Sequence, residues 1–475
     1  MWHDYFNVSS VDEVLEILAE RGERARIMAG GTDLILEIER GIRRGIDTII
    51  DISRIPHLNQ IYLDEDQIIH LGPLVTHNHC TASPLIRQRA FPLAQAAWQV
   101  GAPQIRNRGT IAGNLITASP ANDTIPPLMA MGAQVTLRSK KGIRKVPLED
   151  FYLGVRQTIM RPDEMLVDVS FPALQKDQKG IFVKLGLRRA QAISVVDIAI
   201  LLTLNGSSHV AKASILLGAV APRIIHARQA EEFLAGRQLD DEAIEQAARL
   251  AQQEAQPIDD VRASRDYRSE MVRVCTARGL KSILGGDLEV NFPANPVLLW
   301  GANPNPVRVW EASSHHKSGS VIQTRINGVE YTFTTGHEKT LLRLLREEAG
   351  LVGTKEGCAE GECGACTIFL DGLAVMSCLV PAPRAHGADI VTIEGLAKDG
   401  ELHPVQQAFV AEGAVQCGYC TPGFIMSAAK LLEERPAPSR EEIVQAIIGN
   451  LCRCTGYYRI LAAIEKASQL RRAYG

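Results

Sequence analysis

The chain has 475 residues, 46% of them hydrophobic, with 51 Lys and Arg against 54 Asp and Glu for a formal net charge of −3. Such a length exceeds a single core and predicts about two to four domains, at roughly 100–200 residues each. The near-neutral balance argues against nucleic-acid binding, and no apolar run reaches the roughly 18 residues of a membrane helix. The start, MWHDYFNVSS, lacks the basic stretch and apolar run of a secretory leader, so a soluble, cytoplasmic protein is expected.

In chain order, Ser10-Val11-Asp12-Glu13 reads as a capping box opening an apolar helix with Leu15 and Leu18. ARIMA then predicts a strand running into Gly30-Gly31. Further strands are expected at DTIIDIS, QIIHLG, AQVTLRS and EMLVDVSFP, and a helix at FPLAQAAWQV. RQAEEFLAGRQLDDEAIEQAARLAQQEA reads as two helices with polar faces. The whole region to residue 286 suits a mixed α+β architecture.

Residues 287–320 break this alternation with four prolines, repeated Asn-Pro steps and a Ser/Gly-rich end. Proline removes a backbone donor and restricts the residue before it, so the stretch is expected to be an interdomain linker. The pair His315–His316 reads as part of a solvated polar tail, with metal ligation as the alternative. Beyond it, VIQTRINGVEYTFT predicts a hairpin around Asn327-Gly328. LLRLLREEAG predicts a short helix, and the chain from HPVQQAFVAEG onward reads mostly as helix. The last part therefore divides near residue 395 into a β-rich and a helical portion.

Cysteine carries the strongest signal. Eight of the ten lie between Cys358 and Cys454, and the remainder are Cys80 and Cys275. Clustered cysteines in a long chain without a leader point to metal or redox work rather than disulfides. The first group is Cys358-x4-Cys363-x2-Cys366, followed after eleven residues by Cys378. This is the plant-type [2Fe–2S] spacing. Gly357, Gly361 and Gly364 are expected to permit positive φ, so that backbone N–H groups curl toward the sulfurs. A four-thiolate zinc site is the alternative. The second group is Cys417-x2-Cys420, then Cys452-x-Cys454 after 31 residues. Each pair is expected at a helix end, CGYCTPG opening one helix and NLCRC closing another. A zinc site or a redox dithiol could share that spacing.

Near the N-terminus, Met28–Asp33 and Thr110–Asn114 are glycine-containing loops. A strand-to-helix Gly-Gly turn offers N–H donors to a phosphate, and two such loops could clamp a pyrophosphate; simple turns are the alternative. Neither is the glycine pattern of a Rossmann unit.

The run GCAEGECGACTIFLDG…SCL with QCGYCTPGFIMSA…NLCRCTGY resembles the iron–sulfur subunit or domain of molybdenum hydroxylases, the xanthine dehydrogenase and aldehyde oxidase family, at every cysteine. The resemblance implies a β-grasp plant-type ferredoxin domain (321–395) and an all-α four-helix domain (396–475), each holding one [2Fe–2S] cluster. Their ligands would be Cys358, Cys363, Cys366 and Cys378, then Cys417, Cys420, Cys452 and Cys454. Residues 1–286 are similar to the family's FAD-binding subunit. That implies a PCMH-type FAD-binding domain (1–175) and a C-terminal α+β domain (176–286).

By this similarity AGGTDL and NRGTIAGNLITASPANDTIPPLMAMGA stand where the family holds FAD. The implied contacts are Met28, Ala29, Gly30, Gly31, Thr32, Asp33, Leu34, Thr110, Gly113 and Asn114. Thr117 and Asp123 lie nearby, and Leu166 and Lys184 match later flavin-side positions. One departure is Ala112, where the family's second loop usually carries glycine. Cys80 and Cys275 are too few for the extra cluster that some relatives hold in the flavin domain, and are expected to be buried.

The resemblance thus implies two one-electron centres beside a two-electron flavin. Electrons would pass from a partner molybdenum-cofactor subunit through the helical cluster, the ferredoxin-type cluster and FAD to NAD⁺ or another acceptor, in a dimer of heterodimers. Xanthine or another purine is the first substrate expectation, with nicotinate, other N-heterocycles and aldehydes open. The competing readings are a self-sufficient flavin and iron–sulfur reductase without a molybdenum partner, and a colourless zinc scaffold.

Overall fold

In the computed structural model, which describes residues 2–206, 208–289, 292–302 and 312–474, the elements do not group in chain order. One body gathers Met1–Pro56, Gly101–Gly109 and Asn295–Gly475; the other comprises His57–Val100 and Thr110–Ala294.

The first body begins with parallel strands Asp4–Asn7, Thr48–Asp51 and Ala25–Met28. Helix Val11–Arg21 is capped by Ser10, whose side chain accepts from the Glu13 N–H. The capping box is only half formed. The Glu13 carboxylate turns to the Ser9 N–H (3.1 Å) and the Ser313 hydroxyl instead.

That contact leads to a correction. The stretch expected as a linker contains a strand, Ser314–His316, paired antiparallel with Asp4–Asn7. His315 stacks on Phe6 at 4.0 Å between ring centroids, and its Nε2 lies 2.6 Å from Asp4 Oδ1. His316 is 3% exposed while His315 stays exposed, so only one of the two faces solvent and both belong to a sheet. Three residues are too few to show a period, and the open edge of the neighbouring sheet decides their conformation. Earlier in the same stretch Val297 and Leu299 are buried among the C-terminal helices. The Leu298 and Trp300 N–H groups donate to Glu434 at 3.1 and 2.9 Å. Residues 303–311 of the expected linker lie outside the described residues.

The hairpin forms as the sequence predicts. Strands Ile322–Ile326 and Val329–Phe333 are joined by Asn327 (φ 53°) and Gly328 (φ 82°), the two positive values a type I′ turn needs. They enter a five-stranded sheet with Asp389–Val391, Thr367–Leu370 and Leu373–Met376. The expected helix at LLRLLREEAG is one short α segment, Leu341–Arg343, widening into a π turn, Leu344–Glu348. Leu341, Leu342, Leu344 and Leu345 are all buried. The wider turn serves that near-continuous apolar run. Helices Pro404–Ala411, Thr421–Glu434, Arg440–Ile447 and Tyr458–Tyr474 follow, packed around Phe409, Phe424, Ile443 and Ile464.

Among the described residues the second body holds two large sheets and a small one of Tyr152–Gly154 and Gln157–Thr158. The strands Ile61–Leu63, Ile68–Leu71, Met165–Pro172, Gln134–Ser139 and Gly142–Pro147 form one. Gln178–Gly186, Ser194–Asn205, His209–Gly218 and Ile225–His226 form the other, covered by Arg228–Leu234, Asp241–Glu254 and Arg265–Gly285. The last helix shows no clean apolar period, because Arg268 falls on its inward face. Arg268 is fully buried there and donates to the carbonyls of Val195 and Ala219. Cys80 and Cys275 are buried as expected. Among the described residues no helix is long and apolar enough to cross a membrane.

Candidate functional site

In the first body, Cys358, Cys363 and Cys366 share a loop between Leu344–Glu348 and Thr367–Leu370, and Cys378 follows strand Leu373–Met376. Gly361 (φ 76°) and Gly364 (φ 67°) curl this loop, together with Ala359 (φ 55°). Gly357 is not left-handed, contrary to expectation. It is small for another reason: a Cβ there would stand 2.7 Å from the Cys363 sulfur.

The curl aims the N–H groups of Glu360, Glu362 and Cys363 at Cys358 Sγ, at 3.3, 3.3 and 3.4 Å. A hydrogen bond with the Cys363 thiol, then these N–H groups, bring the Cys358 thiol down to about 5 despite burial. Cys366 and Cys378 form a second hydrogen-bonded pair, both buried.

Cys420 caps helix Thr421–Glu434, and Cys417 lies just before it. Cys452 and Cys454 do not close a helix as expected. Arg440–Ile447 ends earlier, and they occupy the loop beyond it. Cys454 Sγ lies 3.6 Å from Cys417 Sγ, and Cys420 is hydrogen-bonded to Cys452. Burial, reinforced by Cys452, pushes the Cys420 thiol up to about 12. The Cys452 sulfur accepts from the Thr455 N–H and hydroxyl at 3.4 and 3.1 Å.

The eight thiols are therefore brought together two by two, and all are free. Among the described residues no three metal-binding side chains converge as one ion requires. A zinc site needs four ligands around one centre, whereas a two-iron rhomb takes two thiolates at each end. The arrangement fits the rhomb.

The two thiol loops touch. The Leu451 N–H donates to the Cys363 carbonyl at 3.0 Å, and Asn450 Nδ2 to the Gly364 carbonyl at 3.1 Å. On the other side, Leu36 and Ile105 pack against Cys366, Cys378 and Leu379.

Met28–Leu34 lies in this same body, running from strand Ala25–Met28 into the first residue of helix Leu34–Glu39. A Cβ on Gly30 would stand 2.1 Å from the Arg108 carbonyl, and one on Gly31 (φ 78°) 3.1 Å from the Leu379 carbonyl. Only bare backbone fits at these two positions, as a glycine loop that lays N–H groups along a phosphate requires. Arg108 Nε, a partner the sequence did not reveal, donates to the Gly30 carbonyl at 3.1 Å.

The remaining expected FAD residues lie in the second body. Thr110 caps helix Ile111–Thr117, its hydroxyl accepting from the Gly113 N–H at 2.9 Å. Ala112 is buried and packs in one core with Leu166. Thr117 bonds back to the Gly113 carbonyl (2.9 Å), and Asn114 Oδ1 accepts from the Thr124 hydroxyl (2.6 Å).

Asp123 and Lys184, 61 residues apart in sequence, form a buried ion pair at 2.5 Å, with Ser194 donating to the other carboxylate oxygen at 2.6 Å. Burial raises Asp123, and the Lys184 ammonium draws it back. Asp197 is buried close by and pushed well above the usual carboxylate range by burial, then by Asp123. No local pattern marks Ser194 or Asp197, which join this cluster only through strand pairing.

Four family models match in succession: the FAD binding domain in molybdopterin dehydrogenase over residues 2–174, the CO dehydrogenase flavoprotein C-terminal domain over 182–283, the 2Fe-2S iron-sulfur cluster binding domain over 324–388, and the [2Fe-2S] binding domain over 392–465. The nicotinate dehydrogenase small FeS subunit of Eubacterium barkeri is 51% identical over 146 residues, 31% of this chain and 93% of that one.

The chain belongs to the molybdenum hydroxylase family.

Another relative in the family is the xanthine dehydrogenase iron-sulfur-binding subunit of Escherichia coli O157:H7, 46% identical over 153 residues, 32% of this chain and 95% of that one. Among solved structures, carbon monoxide dehydrogenase from Hydrogenophaga pseudoflava is similar at 29% identity and a TM-score of 0.57, over 60% of this chain and 98% of that one. Quinoline 2-oxidoreductase from Pseudomonas putida 86 is similar at 27% identity and 0.57, over 61% and 98%. The chain is thus the fused FAD and iron–sulfur electron-transfer portion of a hydroxylase, an oxidoreductase component with FAD and two [2Fe–2S] clusters as its cofactors. The paired thiols and the glycine cradle fit those groups.

Proposed function

We propose that this chain carries electrons singly from a separate molybdenum-cofactor subunit to its own FAD, and thence to NAD⁺ or another soluble acceptor. When bound, the clusters exchange single electrons and the flavin collects two as a hydride equivalent. The observation that supports this direction is a gradient of exposure along the thiols. Cys417 and Cys454 are exposed, and Val415, Tyr419, Leu451 and Tyr458 beside them in sequence are exposed too. Cys366 and Cys378 are buried, and Leu379 beyond them closes on the Gly31 loop. Electrons would enter at the exposed pair and leave past the buried one.

The ligands proposed for the two clusters are Cys358, Cys363, Cys366 and Cys378, and Cys417, Cys420, Cys452 and Cys454. For FAD they are Met28–Leu34, Thr110, Gly113, Asn114, Thr117, Asp123, Leu166 and Lys184. Substrate choice would belong to the molybdenum subunit. An N-heterocycle, a purine such as xanthine or a pyridine such as nicotinate, is the class proposed, with a dimer of heterodimers as the assembly.

Anaerobic purification of the chain with whatever larger chain copurifies tests the reading. Iron and labile sulfide at about four each and FAD at about one per chain are expected, with molybdenum on the copurifying chain. Cys363→Ser should abolish one paramagnetic cluster signal and spare the other. A pale, iron-free preparation, or retention of both signals in the variant, would refute the ligand assignment.

A further inference from the structure

Gln104 lies on the one-turn helix Pro103–Arg106 and is completely buried. Its Nε2 donates to Ser427 Oγ at 2.9 Å and to Asn450 Oδ1 at 3.2 Å. Ser427 Oγ lies 2.8 Å from that same Asn450 oxygen and 3.0 Å from the Gly423 carbonyl. Asn450 Nδ2 donates to the Gly364 carbonyl at 3.1 Å, and the next N–H, of Leu451, reaches the Cys363 carbonyl at 3.0 Å. One buried polar node thus joins the 101–109 segment, the loop bearing Cys363 and Cys366, and the loop bearing Cys452.

The packing around the node leaves no slack. A Cβ on Gly364 would meet Asn450 Nδ2 at 2.5 Å, one on Gly423 the Gly364 carbonyl at 2.2 Å, and one on Gly449 the Gln104 Oε1 at 2.6 Å. Gln104 Oε1 is itself buried without a hydrogen-bond partner. A half-satisfied amide destabilises a core that an apolar side chain could fill, so stability alone does not explain Gln104. What a directional hydrogen-bonded node supplies is a fixed relative position.

We propose that Gln104 is a positioning residue for electron transfer between the two thiol loops. Through Ser427 and Asn450 its amide holds Leu451–Cys452 against Cys363–Gly364. The inference rests on reading the eight cysteines as two [2Fe–2S] ligand sets. The cluster that Cys417, Cys420, Cys452 and Cys454 would hold would give up one electron and be oxidised, and the cluster that Cys358, Cys363, Cys366 and Cys378 would hold would take that electron and be reduced. No bond forms or breaks and no proton moves. The spacing of the loops and the carbonyl contact at Cys363 govern the rate, and both depend on the node.

The test uses the full chain purified anaerobically as Gln104→Leu and, as a smaller change, Ser427→Ala. Iron and sulfide content, the paramagnetic spectrum of each reduced cluster, the magnetic interaction between them and their electron equilibration after pulsed reduction are measured. Wild-type iron content and cluster spectra are expected, with a weakened interaction. Equilibration should slow by about tenfold to a hundredfold, the sensitivity of positioned reactions to a shift of about an ångström. Unchanged interaction and rate with both clusters present overturn the proposal. Loss of iron from both variants makes the node a support for cluster assembly and overturns it as well. Absence of iron from the wild type removes the ligand assignment itself, and the proposal with it.

Discussion

A thiol beside a thiolate gives up its proton reluctantly, as the pairs Cys358–Cys363, Cys366–Cys378 and Cys420–Cys452 show at the level of single residues. In the first, Cys358 is drawn down to about 5 while Cys363 is pushed up, because one proton shared between two sulfurs stabilises a single negative charge. The second ionisation awaits the charge of a metal, which deprotonates a coordinating thiol outright. The Met28–Leu34 loop proposed for FAD depends on a single missing methyl. At Gly30 an alanine Cβ would stand 2.1 Å from the Arg108 carbonyl, and backbone cannot swing aside as a side chain can. Gly30→Ala is expected to cost about 1–3 kcal/mol through overpacking and to empty the flavin site selectively. Flavin absorption should fall while iron per chain stays at the wild-type value; equal retention of both would show that the loop does not meet the cofactor.

At the scale of elements, the strand Ser314–His316 shows how tertiary context writes secondary structure. It brings a histidine into a poor place for a proton. Burial first, then the charges of His386, His337, Arg54 and His315, depress His316 from 6.5 to about 4. The unfolded chain takes up the proton near 6.5 and the native one only near 4. The stability present above pH 6.5 is therefore lost as pH falls through that window, by up to about 3 kcal/mol. His316→Gln should flatten the fall in urea midpoint between pH 6.5 and 4, followed by ellipticity; parallel wild-type and variant curves would remove His316 as the cause.

The whole molecule is a fusion in which the N-terminal sheet and the ferredoxin part share one body. Arg384 Nη2 lies 2.9 Å from Asp371, and its Nε donates to the Ser53 hydroxyl at 3.1 Å. Arg54 donates to the carbonyls of Arg384 and His386 at 2.9 and 2.5 Å. Trp300 Nε1 donates to Asn107 at 2.7 Å, and Asn107 to the Ala374 carbonyl at 2.9 Å. The bonds of Arg384 to Ser53, of Arg54 to Arg384 and His386, and of Asn107 to Ala374 cross between the two parts and are buried or part-buried, and a hydrogen bond to a charged group contributes about 1.5–3 kcal/mol. Continuity of the peptide is therefore not what holds the halves together. A protease site placed between Ala302 and Ala312, once cut, should leave the two fragments eluting as one species until denaturant is added; separation in native buffer would show that the connection itself is required.

The sequence by itself determined the chemistry. Iron–sulfur ligation needs thiolates at short fixed spacings, so Cys358-x4-Cys363-x2-Cys366 and Cys417-x2-Cys420 mark their loops without any knowledge of the fold. The Asn327-Gly328 hairpin, the glycine turn at Met28–Asp33 and the strands at ARIM, DTIIDIS, QIIHLG, AQVTLRS and EMLVDVSFP were legible for the same reason: their physics spans only a few residues; the long strands Gln178–Gly186, Ser194–Asn205 and His209–Gly218 were not. Tertiary structure decided which sulfurs pair, that His316 enters a strand, that the helix ends before Cys452, and that Gln104 meets Ser427 and Asn450 more than 300 residues away. Contacts of that range leave no local periodicity, because a buried glutamine is chosen by the shape and hydrogen-bonding capacity of surfaces that exist only after the chain has folded.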